Sequence, residues 1–142
     1  MRHQCKRHRL GKAADQRKAL MRSLATELFV HGEIQTTMSR AKALKPYADK
    51  VITFAKKGDL ASRRQAAKYI FDKETEKYIS IETGELYDAL PEGKKYPKQS
   101  VLRQIFSVYG KKYATRNGGY TRIFRLTPRR GDAVEMALIQ LV

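Results

Sequence analysis

Over residues 13–31 the apolar positions follow a helical repeat. Leu20, Leu24 and Leu28 stand four apart, flanked by Met21, Ala25 and Phe29, while Arg17, Lys18 and Arg22 take other positions. Gly32 sits where a helix stops. Glu33-Ile34-Gln35-Thr36-Thr37 is too short for a helix and reads as a brief extended segment. Ser39 is a candidate cap for a second helix carrying Ala41, Leu44, Ala48, Val51, Ile52 and Ala55, with Pro46 expected to kink it or to mark its start. Lys56-Lys57-Gly58 closes that helix, and Asp59 can cap a third running to about Asp72. A fourth is predicted from near Ser100 to Tyr109, on Val101, Leu102, Ile105 and Phe106, with Gly110 at its end.

After Gly118-Gly119 the period changes. Residues 120–127 alternate loosely and are rich in aromatic and β-branched types, Pro128-Arg129-Arg130-Gly131-Asp132 carries turn chemistry, and 135–142 is a second strand candidate. These two segments are expected to pair as an antiparallel hairpin. No internal repeat is present. The expected fold class is α+β, with helices followed by a C-terminal antiparallel β-hairpin in a single domain over 13–142. Residues 1–12 form a basic N-terminal arm of Arg2, His3, Lys6, Arg7, His8, Arg9 and Lys12, with Leu10 its only large aliphatic side chain after Met1. So polar a segment cannot bury enough surface to fold alone.

Charge adds the next constraint. Thirty Lys and Arg against fourteen Asp and Glu give 142 residues a formal net charge of +16. A body so charged repels itself and calls for a polyanion, either nucleic acid or an anionic membrane surface. No run of about 18 apolar residues exists for membrane insertion, and 1–9 lacks the apolar core of a secretory signal. A lone Cys5 allows no intrachain disulfide, which fits a reducing compartment. One stretch opposes the trend. Residues 74–92 hold six carboxylates (Glu74, Glu76, Glu82, Glu85, Asp88, Glu92) and one lysine, Lys77, a balance of −5 that leaves +21 on the rest. With Pro91, Gly93 and Pro97 it reads as an irregular acidic insertion at about 74–99.

Catalysis finds little support. No phosphate loop of the P-loop or dinucleotide type occurs, and His3, Cys5 and His8 are too few to hold a metal. A Cys–His nucleophile would need a positioned base that an arm cannot hold, and Asp132 and Glu135 beside Arg129 and Arg130 read as an ion-paired turn. No catalytic residue, metal or cofactor is expected.

RNA chemistry fits better. Arginine suits phosphate and stacks on bases. In Arg116-Asn117-Gly118-Gly119-Tyr120-Thr121-Arg122 the glycines let the backbone approach a phosphate, the arginines bracket it, and Tyr120 offers a ring for stacking. The same residues also suit an ordinary glycine turn between helix and strand.

Several motifs, in order, resemble one family. Met1-Arg2-His3, Ile34-Gln35-Thr36-Thr37 with Ala41-Lys42, Ile52-Thr53-Phe54-Ala55-Lys56, and Arg63-Arg64 are similar to the bacterial-type large-subunit ribosomal protein L-seventeen. Asn117-Gly118-Gly119-Tyr120-Thr121-Arg122-Ile123 is the most specific match, followed by Arg130-Gly131-Asp132 and the stretch Met136-Ala137-Leu138-Ile139-Gln140-Leu141-Val142. Gly11-Lys12-Ala13-Ala14-Asp15-Gln16-Arg17-Lys18-Ala19-Leu20 looks most like the cyanobacterial and plastid branch, and the acidic segment is the departure. The resemblance implies a structural, non-enzymatic constituent of the large ribosomal subunit. It would bind large-subunit rRNA near the polypeptide exit tunnel beside neighbouring ribosomal proteins, in a plastid stroma (favoured) or a bacterial cytoplasm. Candidate RNA contacts are Arg2, His3, Lys6, Arg7, Arg9 and Lys12 in the arm, and Arg17, Lys18, Arg22, Lys42, Arg63 and Arg64 on helices. Arg116, Gly118, Gly119, Tyr120, Arg122, Arg129 and Arg130 would form a hairpin site. The alternative is a free RNA-binding regulator, found mostly off the ribosome.

Overall fold

The computed structural model of the chain describes residues 8–80, 86–89 and 96–142. The first repeat forms α1 (Ala14–His31), whose buried face is Met21, Ala25, Thr26, Leu28 and Phe29. The leucine stripe is therefore offset: Leu20 and Leu24 are half-buried at its margin. Gly32 ends the helix in the left-handed conformation, and its N–H donates to Leu28 O at 2.8 Å. The chain then runs straight into β1 (Glu33–Thr37) and α2 (Met38–Lys57).

α2 buries all six residues that its periodicity singles out, Ala41, Leu44, Ala48, Val51, Ile52 and Ala55, together with Met38. Two details differ from expectation. Thr37 rather than Ser39 stands at the N-cap, without a side-chain cap, and Met38 N–H donates to Glu135 O at 2.9 Å instead. Pro46 lies inside the helix, exposed, and does not mark its start.

Asp59 caps α3 (Leu60–Ala66) by accepting from Ser62 N–H at 3.3 Å. The helix is shorter than its pattern. Tighter turns follow, with Lys68 N–H on Gln65 O and Tyr69 N–H on Ala66 O, and they bring Ile70 into the core.

The acidic segment has regular structure that its charges concealed. β2 (Glu74–Ile79) pairs antiparallel with β3 (Leu86–Tyr87) on one side and β4 (Lys98–Ser100) on the other, in the order β3-β2-β4. Ile79 and Thr75 are buried, and Thr75 Oγ1 donates to Gln99 O at 2.7 Å. Lys73, just before β2, pairs with Glu27 of α1 at 2.7 Å, so the sheet is tied to that helix.

Ser100 and Asp72 together start the next helical stretch, accepting from Arg103 N–H and Leu102 N–H. It comprises α4 (Val101–Gln104), a π turn (Ile105–Tyr109) and α5 (Gly110–Lys112). Val101, Ile105, Tyr109 and Tyr113 are all buried at four-residue spacing. In an α-helix each such step overshoots a full turn by about 40°, so the wider π turn keeps the set facing the core. Gly110 is not the end of the helix. It sits inside with ordinary helical φ, and the need for glycine is steric: a Cβ there would stand 2.8 Å from Ala55 O of α2.

β5 (Thr121–Leu126) and β6 (Met136–Leu141) form the expected hairpin. β1 adds a third strand on the far side of β6, in the order β1-β6-β5. Ala137, Ile139 and Leu141 of β6 point into the core shared with α2 and the π turn. Two three-stranded antiparallel sheets and their helices thus make a mixed α+β fold among the described residues.

Candidate nucleic-acid interface

The glycine-rich loop leaves the helical stretch at Arg116, whose N–H bonds Tyr113 O at 3.1 Å, and enters β5 at Thr121. Gly118 and Gly119 take φ of +101° and +61° in succession, with open space where a Cβ would lie. The loop is exposed, yet pinned at its base. Tyr120 is only 4% exposed, tilted against Tyr113 at 5.2 Å between ring centroids. Its hydroxyl donates to Arg116 O at 3.0 Å. The tyrosine is therefore a packing residue, and its ring offers no face to a base.

Two α2 residues seven apart, on one side of the helix, address this base. Lys56 Nζ donates to Arg116 O at 2.7 Å and reaches Asn117 Oδ1 at 3.5 Å and Tyr120 OH at 3.4 Å. Burial pushes the Asp49 carboxyl up, while Lys45 and the Tyr120 backbone N–H favour its charged form. Arg116 Nε donates back to Gly118 O at 3.3 Å. In the sequence Lys56 stood only as a residue near a helix end and the last of a family-like motif, with no role assigned to it.

The arginines separate into two places. Arg116 and Arg122 are exposed at the loop end of β5, whereas Arg129 and Arg130 are exposed in the turn beyond its other end, a strand length of roughly 17 Å away. The residues expected to form a single hairpin site thus fall into two basic clusters joined by an edge strand, along which Arg125 is also exposed. Residues 111–131 contain seven Lys or Arg and no carboxylate. Arg129 is engaged by Asp132 through Nε at 2.9 Å and through a second guanidinium nitrogen, which drops the Asp132 carboxyl to about 2.

Arg22 also departs from its expected role. Its guanidinium donates to Ile70 O at 3.0 Å and lies 4.1 Å over the Phe71 ring, holding the segment after α3 against α1. Arg9, Lys12, Lys18, Lys42, Arg63 and Arg64 are exposed, and Arg17 is half-buried. Leu10 is half-buried and lines a cleft of about 440 Å³ with Met21, Pro46 and Tyr47, and Lys12 O accepts from the Arg17 guanidinium at 3.5 Å. Arg2, His3, Lys6 and Arg7 lie outside the described residues.

Among the described residues no helix is long and apolar enough to cross a membrane. The sequence model of the family described as Ribosomal protein L17 matches residues 20–142, from the middle of α1 through β6 and including the glycine loop and the arginine turn. With most of its length matched, the chain belongs to the ribosomal protein L17 family, the structural proteins of that name in the large ribosomal subunit.

Proposed function

We propose that this chain binds large-subunit rRNA near the polypeptide exit tunnel, beside other ribosomal proteins, and performs no catalysis of its own. The observation that carries the RNA reading is the carboxylate-free run of 111–131, folded as the end of α5, an exposed glycine loop, an edge strand and an arginine turn. Such a surface can follow a phosphate backbone, because each cation that neutralises a phosphate releases a condensed counterion. Arg116, Arg122, Arg125 and Arg130 are its exposed guanidinium candidates, with Lys18, Lys42, Arg63 and Arg64 exposed on α1, α2 and α3.

The same reading takes residues 1–12 as an RNA-binding arm, 13–142 as one domain, and the acidic segment as an insertion facing away from RNA. It assigns the protein to the ribosomes of a plastid stroma, with a bacterial cytoplasm as the alternative. Sucrose-gradient fractionation of the source organelle or cell tests the assignment. The protein should co-sediment with the large subunit and stay through a moderate salt wash. Recovery mainly in ribosome-free fractions would overturn it in favour of a free RNA-binding regulator.

A further inference from the structure

Lys56 has the charge of an RNA contact and the hydrogen bonds of a structural residue. Its ammonium carries three protons, and three acceptors surround it: Arg116 O at 2.7 Å, Tyr120 OH at 3.4 Å and Asn117 Oδ1 at 3.5 Å. Tyr120 OH donates its own hydrogen bond to the same Arg116 carbonyl at 3.0 Å. That carbonyl is the last backbone group before the glycine loop, so α2 and the first residue after the loop both hold its entry. Asp49, two turns earlier on the same side of α2, lies toward the Tyr120 N–H at the exit.

Between these tethers the backbone N–H groups of Asn117, Gly118 and Gly119 have no acceptor among the described residues. The two glycines hold consecutive left-handed φ values, and no atom lies within 4 Å of where their Cβ atoms would be. Successive N–H groups in a turn of this kind make a concavity suited to an anion. Held in shape beforehand, the loop loses little further freedom on binding.

We propose that residues 117–119 are a preformed phosphate site built from backbone N–H groups, and that Lys56 and Tyr120 are its positioning residues rather than phosphate contacts. The inference rests on the reading that RNA is the polyanion. A free phosphate shares the chemistry, and the experiment separates the two.

The full chain, ¹⁵N-labelled, is titrated with inorganic phosphate while the amides of residues 117–119 are followed. In parallel, binding to a large-subunit rRNA transcript is measured against salt for wild type, Lys56→Met, Tyr120→Phe and the double variant. Saturable shifts at the three amides are expected in wild type, weakened about tenfold in each single variant, the scale of one charged hydrogen bond. RNA affinity should fall by a similar factor with the salt slope unchanged, and the double variant should be no worse than Lys56→Met alone. Tyr120→Phe alters no charge and removes one oxygen, so it carries the test even if Lys56→Met fails to fold.

Absence of a response at the three amides overturns the phosphate site. A loss of about 0.7–0.9 in the logarithmic salt slope for Lys56→Met overturns the positioning role, since that is the mark of one lost phosphate contact. Wild type that ignores the transcript at every salt concentration sinks the RNA reading itself, which is a different failure from a transcript bound without the loop.

Discussion

Asp132 and Arg129 face each other in the turn between β5 and β6, and the guanidinium holds the carboxyl at about 2, below its ordinary 3.8. A carboxyl depressed in the folded state stabilises the fold above its ordinary pKa, and that contribution fades as pH falls from about 4 toward 2. Both groups are exposed, so the pair is weak in salt and its signature is the titration itself. NMR titration of the Asp132 side chain should give a midpoint near 2 that returns toward 3.8 in Arg129→Ala. A midpoint that does not move would show the pair is absent in solution. An RNA phosphate approaching Arg129 must compete with Asp132, so Arg130 is the readier contact at this turn. Residue type alone could not show this, nor that Arg22 caps Ile70 O and that Tyr120 packs on Tyr113. A basic side chain can bind a phosphate or tie two segments of the fold together, and an aromatic one can stack on a base or pack in the core. Only its neighbours decide, and those neighbours are 48 and 7 residues away in the chain.

At the scale of elements, α2 and α5 meet at a seam closed by one glycine. A methyl group at Gly110 would stand 2.8 Å from Ala55 O and 3.3 Å from Ala55 C, both backbone atoms that cannot swing aside. Gly110→Ala gains about 1 kcal/mol of helix propensity. Overpacking at a backbone contact costs ~1–3 kcal/mol, so the net effect should be a loss of stability. Denaturant midpoints test this, and an unchanged or raised midpoint would refute the tight seam. Because Ala55 precedes Lys56, the variant should also loosen the glycine loop. In the sequence Gly110 reads as a helix stop, since glycine marks both ends and close approaches. Periodicity made α1, α2 and the β5–β6 hairpin legible, because each buries one face over enough residues to show its repeat. It failed for β1 as a partner of β6, and for β2 with β4, because such pairings join segments far apart in sequence. Charge also drew attention away from Thr75, a buried polar residue of β2.

Across the whole molecule, the two signs of charge have separate supports. The cationic run of 111–131 lies on the loop, β5 and the turn, whereas residues 74–92 carry −5 and include β2 and β3. Lys77, already counted in that balance, pairs with Asp88 at 3.3 Å, and Lys73 ties the start of β2 to Glu27 at 2.7 Å. The Lys73 hydrogen bond holds the Glu27 carboxyl below its ordinary value. At physiological ionic strength the Debye length is about 8 Å, so acids on this sheet act on a phosphate only near contact. RNA binding should therefore report the cations alone. If 6–10 phosphates are neutralised, affinity for a large-subunit rRNA transcript should fall about 10³–10⁵-fold between 50 and 200 mM salt, on the duplex scale. Glu74→Gln with Glu76→Gln removes two exposed carboxylates of β2 and should leave that slope unchanged. Arg122→Ala with Arg130→Ala should flatten it by about 1.4–1.8. A slope that responds to the glutamates as strongly as to the arginines would mean that the acidic sheet lies against RNA.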